Sequence, residues 1–220
     1  MENEMIYPKS NFAICIGRSF GSGGYKVACA LQQRLKVKLY EKELLDKAAE
    51  DSNIRRELFE KADEKNTYEM PLVIGGTLGM PNTFYMYANN YLSNDHLFTL
   101  QAETIQKLAI KGSAIFVGRC ADYVLREHPN LLSIYVAEDI ELRAKHIQDR
   151  CGIETFEEAM AEVEKVDKGR REYYNYYTSR HWGRADNYDL SIKLSSIGID
   201  YAVDMIVELM RRRGFPIELG

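Results

Sequence analysis

Short apolar runs alternate along the chain with longer stretches in which apolar residues recur every three or four positions. The short runs are rich in β-branched residues and predict strands at 12–16, 37–40, 114–117, 132–137 and 189–194. The longer stretches predict helices at 22–36, 42–50, 97–111, 140–150, 156–177 and 200–213. Strands separated by helices imply a parallel sheet covered on both faces, and ligands of such sheets bind at the carboxyl ends of the strands. The pattern therefore predicts an α/β fold with its site at that edge.

The turn after the first predicted strand is rich in glycine and leads directly into a predicted helix. Glycine allows positive φ angles and a close approach of the backbone to a ligand. The helix directs its unpaired N–H groups and its positive dipole end at the turn, and this arrangement binds anions such as phosphate. We therefore expect the turn to bind a nucleotide or another phosphorylated ligand, and the candidate residues are Arg18, Ser19, Gly21, Ser22, Gly23, Gly24, Tyr25 and Lys26.

The turn matches the P-loop pattern G-x-x-x-x-G-K-[ST] only in part. If Gly23 takes the second glycine position, Arg18 takes the first. The lysine and hydroxyl positions then hold Gly24 and Tyr25, and Lys26 follows two positions after the expected lysine. The anion-binding backbone is therefore predicted to be present without the usual lysine.

A second pattern, the G-x-x-x-G-x-G of short-chain dehydrogenases, fits Gly17, Gly21 and Gly23. Those enzymes also need a catalytic Tyr-x-x-x-Lys pair, and no tyrosine of this chain has a lysine four residues later. This difference disfavours a nicotinamide-dependent reductase.

Composition and charge exclude several classes of protein. The chain has 220 residues with an apolar fraction of 45% and a formal net charge of -4, which is unlike the basic excess of a dedicated nucleic-acid binder. No apolar run is long enough to span a membrane, and the first residues lack the positive charge of a signal peptide. The four cysteines and four histidines show no metal-ligand spacing. We expect a cytoplasmic protein that binds neither nucleic acid nor membranes, and we identify no metal ligands.

A second candidate site follows the predicted strand at 114–117. Gly118 permits a turn that places Arg119 at the ligand edge of the sheet, where a guanidinium can bind a phosphate or carboxylate through two parallel hydrogen bonds. Asp122 is a candidate for binding Mg²⁺ through water or for capping the helix that follows, and we favour the cap.

The third candidate site is a pair of basic helices. Arg143, His146 and Arg150 lie together on one face of the helix at 140–150, and the next helix carries further basic and aromatic residues up to Arg184. Joined by a turn at Gly152, these helices predict a lid over a polyphosphate, in which Arg143 and Arg150 neutralise charge and closure expels water. A solvated charged face is the alternative interpretation.

One segment, 67–95, departs from the alternation of strands and helices. It contains two Pro residues, three Gly residues and an aromatic run. Loops of this length inside compact domains are usually functional, so we predict a lobe that covers the substrate. A peripheral excursion or a homodimer contact is the alternative interpretation.

The chain resembles the cytidylate-kinase-like family, short bacterial relatives of the nucleoside monophosphate kinases. The resemblance rests on the glycine-rich turn and on three further segments: Val117-Gly-Arg-Cys-Ala-Asp-Tyr-Val-Leu125, Tyr173-Tyr-Asn-Tyr-Tyr-Thr-Ser-Arg-His-Trp-Gly183 and Asn187-Tyr-Asp-Leu190. It extends from about residue 12 to residue 213, which is nearly the whole chain.

The resemblance implies a P-loop kinase-type three-layer fold with a five-stranded parallel sheet. It implies one domain over 1–220, a nucleoside-monophosphate lobe at about 64–96 and a helical lid at about 143–184. It also implies that ATP, with Mg²⁺, donates its γ-phosphoryl group to a small acceptor, for which CMP is a candidate. Cytidylate kinases carry Asp-Gly-Arg-Asp after the third strand, and here Val117 and Cys120 replace the two aspartates around Gly118 and Arg119.

In the lid, the family pattern Arg-Asp-x-x-Asp-x-x-Arg keeps only Asp167 and Arg170. We therefore expect Arg119, Asp167 and Arg170 to bind the acceptor. We expect Lys26, Arg119, Arg143 and Arg150 to take part in catalysis. The leading hypothesis is a small-molecule kinase. Because the P-loop lysine position holds Gly24, the alternative hypothesis is a non-catalytic nucleotide- or phosphate-binding sensor.

Overall fold

Five parallel strands form one sheet in the computed structural model, which describes residues 6–52 and 94–217. The strands lie in the order β2-β3-β1-β4-β5, and each neighbouring pair is parallel. Their bounds are β1 Ala13–Arg18, β2 Lys38–Tyr40, β3 Ala114–Val117, β4 Leu131–Ala137 and β5 Leu190–Lys193. The predicted five-stranded parallel sheet is confirmed, and the carboxyl ends of all five strands share one edge.

Helices connect the strands and cover both faces of the sheet. Within the described residues they are α1 Gly24–Leu35, α2 Glu43–Ser52, α3 Asn94–Lys111, α4 Ala121–Val124, α5 Ile140–Cys151, α6 Phe156–Thr178, α7 Leu194–Ile197 and α8 Ile199–Arg212, with a 3-10 helix at Ala185–Asn187. The six predicted helices correspond to α1, α2, α3, α5, α6 and α8. The four-residue helices α4 and α7 escaped prediction because they are too short to show a helical period.

The central strand β1 shows why the sheet is buried on both faces. Ile14 and Ile16 pack with α1 and α8 on one face, and Ala13 and Cys15 pack with α3 and α4 on the other. All four side chains are at most 2% exposed. Because successive residues of a strand point to opposite faces, a strand between two helical layers must be apolar throughout, as this one is.

Helices α5 and α6 form a hairpin that packs beside the glycine-rich turn. Gly152, with a φ of 66°, ends α5, and a capping box between Thr155 and Glu158 begins α6. A separate apolar cluster of Ala144, Ile147, Ala159 and Val163 joins the two helices, and the ring of Phe20 packs against this cluster. The hairpin therefore contacts the turn directly.

The lobe predicted at about 64–96 lies outside the described residues except for its last three, which begin α3. The single-domain organisation and the lid function of the α5–α6 hairpin stay predictions. Within the described ranges, no helix combines the length and the apolar character that crossing a bilayer requires.

Candidate functional site

A cleft of about 400 Å³ opens at the carboxyl edge of the sheet, where the sequence placed the site. It lies between the ends of β1, β2 and β3 on one side and helix α6 with the segment after it on the other. Its lining combines cationic, acidic and aromatic side chains with two glycines: Gly17, Arg18, Glu41, Lys42, Leu45, Gly118, Arg119, Cys120, Asp122, Arg170, Tyr173, Tyr174, Trp182 and Tyr188. This is the volume and the mixed lining of a site for a small polar ligand.

The glycine-rich turn beside the cleft needs its glycines for two separate reasons. Gly21 and Gly23 have φ angles of 79° and 86°, in the left-handed region that other residues rarely adopt. Space is also short, because an ideal Cβ on Gly21 would lie 2.9 Å from the carbonyl oxygen of Arg143. The turn is thus a tight backbone structure that an added side chain would displace.

Helix α1 begins immediately after this turn. The first helical amide with a partner in the helix is that of Val27, which donates to Gly23 O at 3.1 Å, so the N–H groups before it are the free ends of the helix. Ser22 is 2% exposed, and its Oγ has no hydrogen-bond partner among the described residues. Lys26 is exposed in the first turn of α1. These free donors are suited to an anion such as a phosphate chain.

Arg18 ends β1, and its side chain passes over the backbone of Gly118 toward Glu41. Its Nη2 donates to Glu41 Oε1 at 2.9 Å, and the Arg18 and Glu41 side chains are 16% and 22% exposed. Glu41 follows β2, which is separated from β1 by β3 in the sheet. The Arg18 side chain therefore spans three adjacent strand ends and forms part of the cleft wall.

The residues after β3 adopt three consecutive left-handed conformations. Gly118, Arg119 and Cys120 have φ angles of 76°, 60° and 54°. Such angles are costly for residues with a side chain, and they occur at sites where the surrounding structure enforces them. Gln101 is one such support, since its Nε2 lies 3.5 Å from Arg119 O and 3.2 Å from the Tyr173 hydroxyl. This turn places Arg119 in the cleft wall.

Asp122 lies in the first turn of α4 and lines the same cleft. The residue that caps α4 is Cys120, so the favoured role of Asp122 as the cap is wrong. Its Oδ2 accepts a hydrogen bond from the Tyr174 hydroxyl at 2.7 Å. Burial raises the pKa of the Asp122 carboxyl, and burial together with the nearby Asp122 carboxylate raises the pKa of Tyr174. Tyr174 therefore keeps its proton and serves as the donor.

Arg143 and Asp167 lie outside the cleft lining, in a buried ion pair between α5 and α6. Their side chains are 10% and 9% exposed, and Arg143 Nη1 contacts Asp167 Oδ2. The pair also holds the turn, because Asp167 Oδ1 accepts the N–H of Phe20 at 2.7 Å and Arg143 Nη1 donates to Phe20 O at 3.2 Å. We expected Asp167 at the acceptor and Arg143 on a closing lid. Burial instead directs both side chains toward the backbone of Phe20.

The ring of Phe20 lies between two further cations of the hairpin. The guanidinium carbons of Arg150 and Arg170 are 5.5 Å and 5.4 Å from its centroid, within cation–π distance. Arg170 Nη1 also donates to Arg18 O at 3.1 Å, and Arg170 lines the cleft, whereas Arg150 does not. His146 Nδ1 lies 3.2 Å from Gly21 O. The turn is therefore held by several side chains of α5 and α6.

The structure thus brings together part of the predicted site. Of the predicted residues, Arg18, Arg119 and Arg170 line the cleft. The turn residues 19–26 follow Arg18 in the chain but are not part of the lining, and Arg143, Arg150 and Asp167 support the turn from the hairpin. Sequence reasoning missed Glu41, although it directly follows a predicted strand at the ligand edge. It also missed the aromatic wall of Tyr173, Tyr174, Trp182 and Tyr188. The tyrosines were visible as a run, but only the packing of α6 shows which of them face the cleft.

The described part of the chain contains no cluster of three or more His, Cys, Asp or Glu side chains that could hold a metal ion by themselves. Mg²⁺ in kinase sites is bound through one or two carboxylates together with substrate phosphates and water. Glu41 and Asp122 are the two carboxylates of the cleft lining, so the donor set is of the type that Mg²⁺ uses with a phosphorylated substrate.

Two solved structures of similar length are among those that the chain resembles. An uncharacterized protein from Eubacterium ventriosum ATCC 27560 is 29% identical, with a TM-score of 0.67 and coverage of 91% of this chain and 99% of that one. Shikimate kinase from Bacteroides thetaiotaomicron is 11% identical, with a TM-score of 0.52 and coverage of 91% of this chain and 98% of that one, and it shares the fold. A search of curated protein sequences gives no significant match.

The family assignment comes from a model that represents a whole protein family. The model of the cytidylate kinase-like family matches residues 13–196, from the first strand through the end of the α5–α6 hairpin and β5. The match covers both the glycine-rich turn and the arginine cleft. The chain therefore belongs to the cytidylate kinase-like family.

Proposed function

We propose that the protein is a small-molecule kinase that transfers the γ-phosphoryl group of ATP to a small anionic acceptor, with a nucleoside monophosphate such as CMP as the candidate. One observation supports this most strongly. Three guanidinium groups, those of Arg18, Arg119 and Arg170, line a single cleft next to a phosphate-type glycine turn. A donor phosphate bound to the turn would then lie next to an anionic acceptor bound in the cleft.

The turn fits the donor phosphates. Its backbone is tight at Gly21, the α1 amides before Val27 point out of the helix end, and the buried Ser22 Oγ has no partner within the described residues. Residues 19–26 would hold the phosphates mainly through backbone N–H groups, and the exposed Lys26 is available at their outer side. ATP bound with Mg²⁺ would supply the γ-phosphoryl group. An acceptor oxygen would bond to the γ-phosphorus as its bond to ADP breaks, and ADP would leave.

The cleft fits an acceptor that carries both an anion and a ring. Arg119 and Arg170 would bind a phosphate or carboxylate of the acceptor through paired, charge-assisted hydrogen bonds. Trp182, Tyr173 and Tyr188 line the remaining wall and offer flat apolar surfaces on which a base can pack. Such positioning, together with neutralisation of charge, provides most of the rate enhancement in phosphoryl transfer.

Asp122 and Glu41 would complete the site as its acidic groups. Both line the cleft, where they would serve Mg²⁺ or hydroxyl groups of the acceptor. The Tyr174 hydrogen bond fixes the Asp122 carboxylate, and the Arg18 ion pair fixes that of Glu41. Arg143 and Asp167 would act as positioning residues, because they hold Phe20 of the turn from both of its peptide groups.

The test is acceptor-dependent formation of ADP. Purified protein is incubated with ATP and Mg²⁺ and with one acceptor at a time: CMP, dCMP, UMP, AMP, and shikimate because a structural neighbour is named for it. We expect ADP and a phosphorylated product with at least one nucleotide. Arg119→Ala should slow formation of that product by on the order of a hundredfold, while Arg126→Ala, at an exposed arginine beside Tyr123, should leave the rate unchanged. Absence of acceptor-dependent ADP across a broad nucleotide panel would refute the kinase proposal.

A nucleotide-binding sensor is the second candidate, and Gly24 at the P-loop lysine position favours it. The anion-binding backbone would then act without the fixed charge that assists transfer. Calorimetry that shows tight ATP binding, together with no transfer to any acceptor, would support the sensor over the kinase.

A cytoplasmic location and a homodimer belong to the same proposal. Both come from the sequence, the first from its composition and the second from the segment 67–95. Light scattering on a size-exclusion column would give the mass in solution, and a mass of one chain would exclude the dimer.

A further inference from the structure

The Arg18 side chain and the Gly24 backbone occupy adjoining space. An ideal Cβ placed on Gly24 would lie 2.6 Å from Arg18 Cβ, 3.2 Å from Arg18 Cγ and 3.4 Å from Val136 Cβ. Distances below 3.0 Å do not occur between such atoms, so a side chain at 24 and the observed Arg18 exclude each other. Gly24 is helical, and its φ angle alone would allow any residue. The Cβ and Cγ atoms of Arg18 therefore explain why position 24 is a glycine.

A second glycine accommodates the other end of the same side chain. An ideal Cβ on Gly118 would overlap Arg18 Nη1 and would lie 3.2 Å from Arg18 Cζ. The guanidinium thus crosses directly over the backbone at the end of β3. Its Nη2 then reaches Glu41 Oε1 at 2.9 Å, beyond the end of β2. Three residues from three segments, Gly24, Gly118 and Glu41, fit one extended conformation of Arg18.

The position of this cation corresponds to a chemical need of the proposed site. The P-loop lysine normally places a positive charge beside the terminal phosphates of the donor. Here the lysine position is Gly24, and the space that its side chain would need is filled by a cationic side chain from the preceding strand. Arg18 lines the cleft, and its guanidinium lies over the Gly118 backbone at the end of β3.

We infer that Arg18 replaces the P-loop lysine and binds the terminal phosphate of the nucleotide donor, with Glu41 fixing its orientation. This inference rests on the proposed function. A guanidinium has five N–H donors in a fixed plane, so it can bind Glu41 and a phosphate oxygen at the same time. The charge that a P-loop normally takes from its lysine is thus supplied from the end of β1, and the turn itself needs only backbone groups.

Calorimetry with the non-hydrolysable analogue AMP-PNP and Mg²⁺ tests the contact without any turnover. Arg18→Ala should weaken AMP-PNP binding by about tenfold to a hundredfold, the usual effect of losing hydrogen bonds to a charged group. Because the contact is with the terminal phosphate, the same variant should weaken ADP binding less. Lys26→Ala is the competing variant, and Arg34→Ala, an exposed arginine that pairs with Asp204, is the control expected to bind as the wild type does.

A reciprocal exchange tests the steric argument. Gly24→Lys alone should lower the melting temperature, because the new Cβ meets Arg18. The closest contact is with Arg18 Cβ, which alanine would keep, so the exchange uses an Arg18→Gly background, in which the lysine has room. The double variant should melt higher than Gly24→Lys and should regain AMP-PNP affinity over Arg18→Gly. Arg18→Lys shortens the reach and loses the planar fork, and we expect intermediate affinity.

The outcomes separate the inference from the proposed function. If wild-type protein binds neither AMP-PNP nor ADP, the kinase proposal fails. If it binds both and Arg18→Ala binds AMP-PNP as tightly as Arg34→Ala does, the role of Arg18 is wrong while the kinase proposal survives. A tenfold loss confined to Lys26→Ala would assign the charge to Lys26 instead. A Gly24→Lys variant with wild-type melting temperature and affinity would refute the exclusion between positions 18 and 24.

Discussion

The buried pair of Arg143 and Asp167 allows a quantitative test of how the hairpin holds the glycine-rich turn. Replacing Arg143 with Met keeps most of the side-chain volume but leaves the Asp167 carboxylate buried without its partner. Removal of one member of a buried ion pair costs about 3–5 kcal/mol, because the remaining charge is desolvated and uncompensated. The two side chains are only 10% and 9% exposed, so solvent screening reduces this figure little. We expect Asp167→Asn to cost a similar amount.

The double variant distinguishes a charge effect from a packing effect. Asp167→Asn combined with Arg143→Met buries no charge, and the Asn side-chain oxygen can still accept the N–H of Phe20. The remaining losses are the hydrogen bonds from Arg143 to Phe20 O and to Glu138 O and some packing, about 2–3 kcal/mol. The double variant should therefore be more stable than either single variant, with a coupling energy above about 2 kcal/mol.

Urea denaturation followed by circular dichroism measures these free energies of unfolding. Asp204→Asn, in the exposed pair with Arg34, is the matched control and should change stability by less than about 0.5 kcal/mol. Two results would refute the reasoning. One is a loss below about 1 kcal/mol in both single variants, and the other is a double variant in which the two losses simply add.

Three further predictions concern single residues. Arg119→Ala should lower the kinase rate by on the order of a hundredfold, as loss of a preorganised charge contact does, and a steady-state assay that finds an unchanged rate would remove Arg119 from the acceptor site. Gly21→Ala should destabilise the fold by about 1–2 kcal/mol, because the φ of Gly21 is 79° and the added Cβ would meet Arg143 O. Gly112→Ala is the control and should have little effect, because the space around Gly112 is open. Equal melting temperatures for the two variants would contradict this prediction. Burial lowers the pKa of His128, so the unfolded chain binds the proton more readily and the free energy of unfolding should fall as the pH drops below the usual histidine pKa of about 6.5. His128→Asn should lose this part of the pH dependence, which urea midpoints measured at several pH values would show. If the midpoints of the wild type and the variant changed equally with pH, the interpretation would be wrong.

Most of the fold was predictable because the sheet buries both of its faces. A strand such as β1, apolar at every position from Ala13 to Ile16, has one common explanation in a chain where helices alternate with strands. The six longer helices were equally clear, since each keeps an apolar face over nearly three turns or more. The short α4 and α7 were not, because four residues carry no period and their conformation depends on the strand ends beside them.

The candidate site was predictable where it depends on backbone position and not where it depends on side-chain direction. The rule that ligands bind at strand ends correctly brought Arg18, Arg119 and the glycine-rich turn to one edge. The same rule would have found Glu41. It could not show that Asp167 turns toward the N–H of Phe20 and away from the cleft, since that follows from the packing of α5 against α6. The sequence also could not show why position 24 is a glycine, because the cause is a contact with the side chain of Arg18, six positions earlier.

The attachment of Phe20 to the hairpin links two parts of the molecule that the sequence presents as separate. Both peptide groups of Phe20 bind the Arg143–Asp167 pair, and its ring contacts Arg150 and Arg170. Any displacement of the α5–α6 hairpin must therefore move the glycine-rich turn or break these contacts. Under the proposed function, nucleotide binding to the turn and docking of the hairpin on the turn are therefore coupled. Bound nucleotide should favour the docked hairpin, and a docked hairpin should raise the nucleotide affinity by the same factor. Amide hydrogens of α5 and α6 should accordingly exchange more slowly once nucleotide is bound.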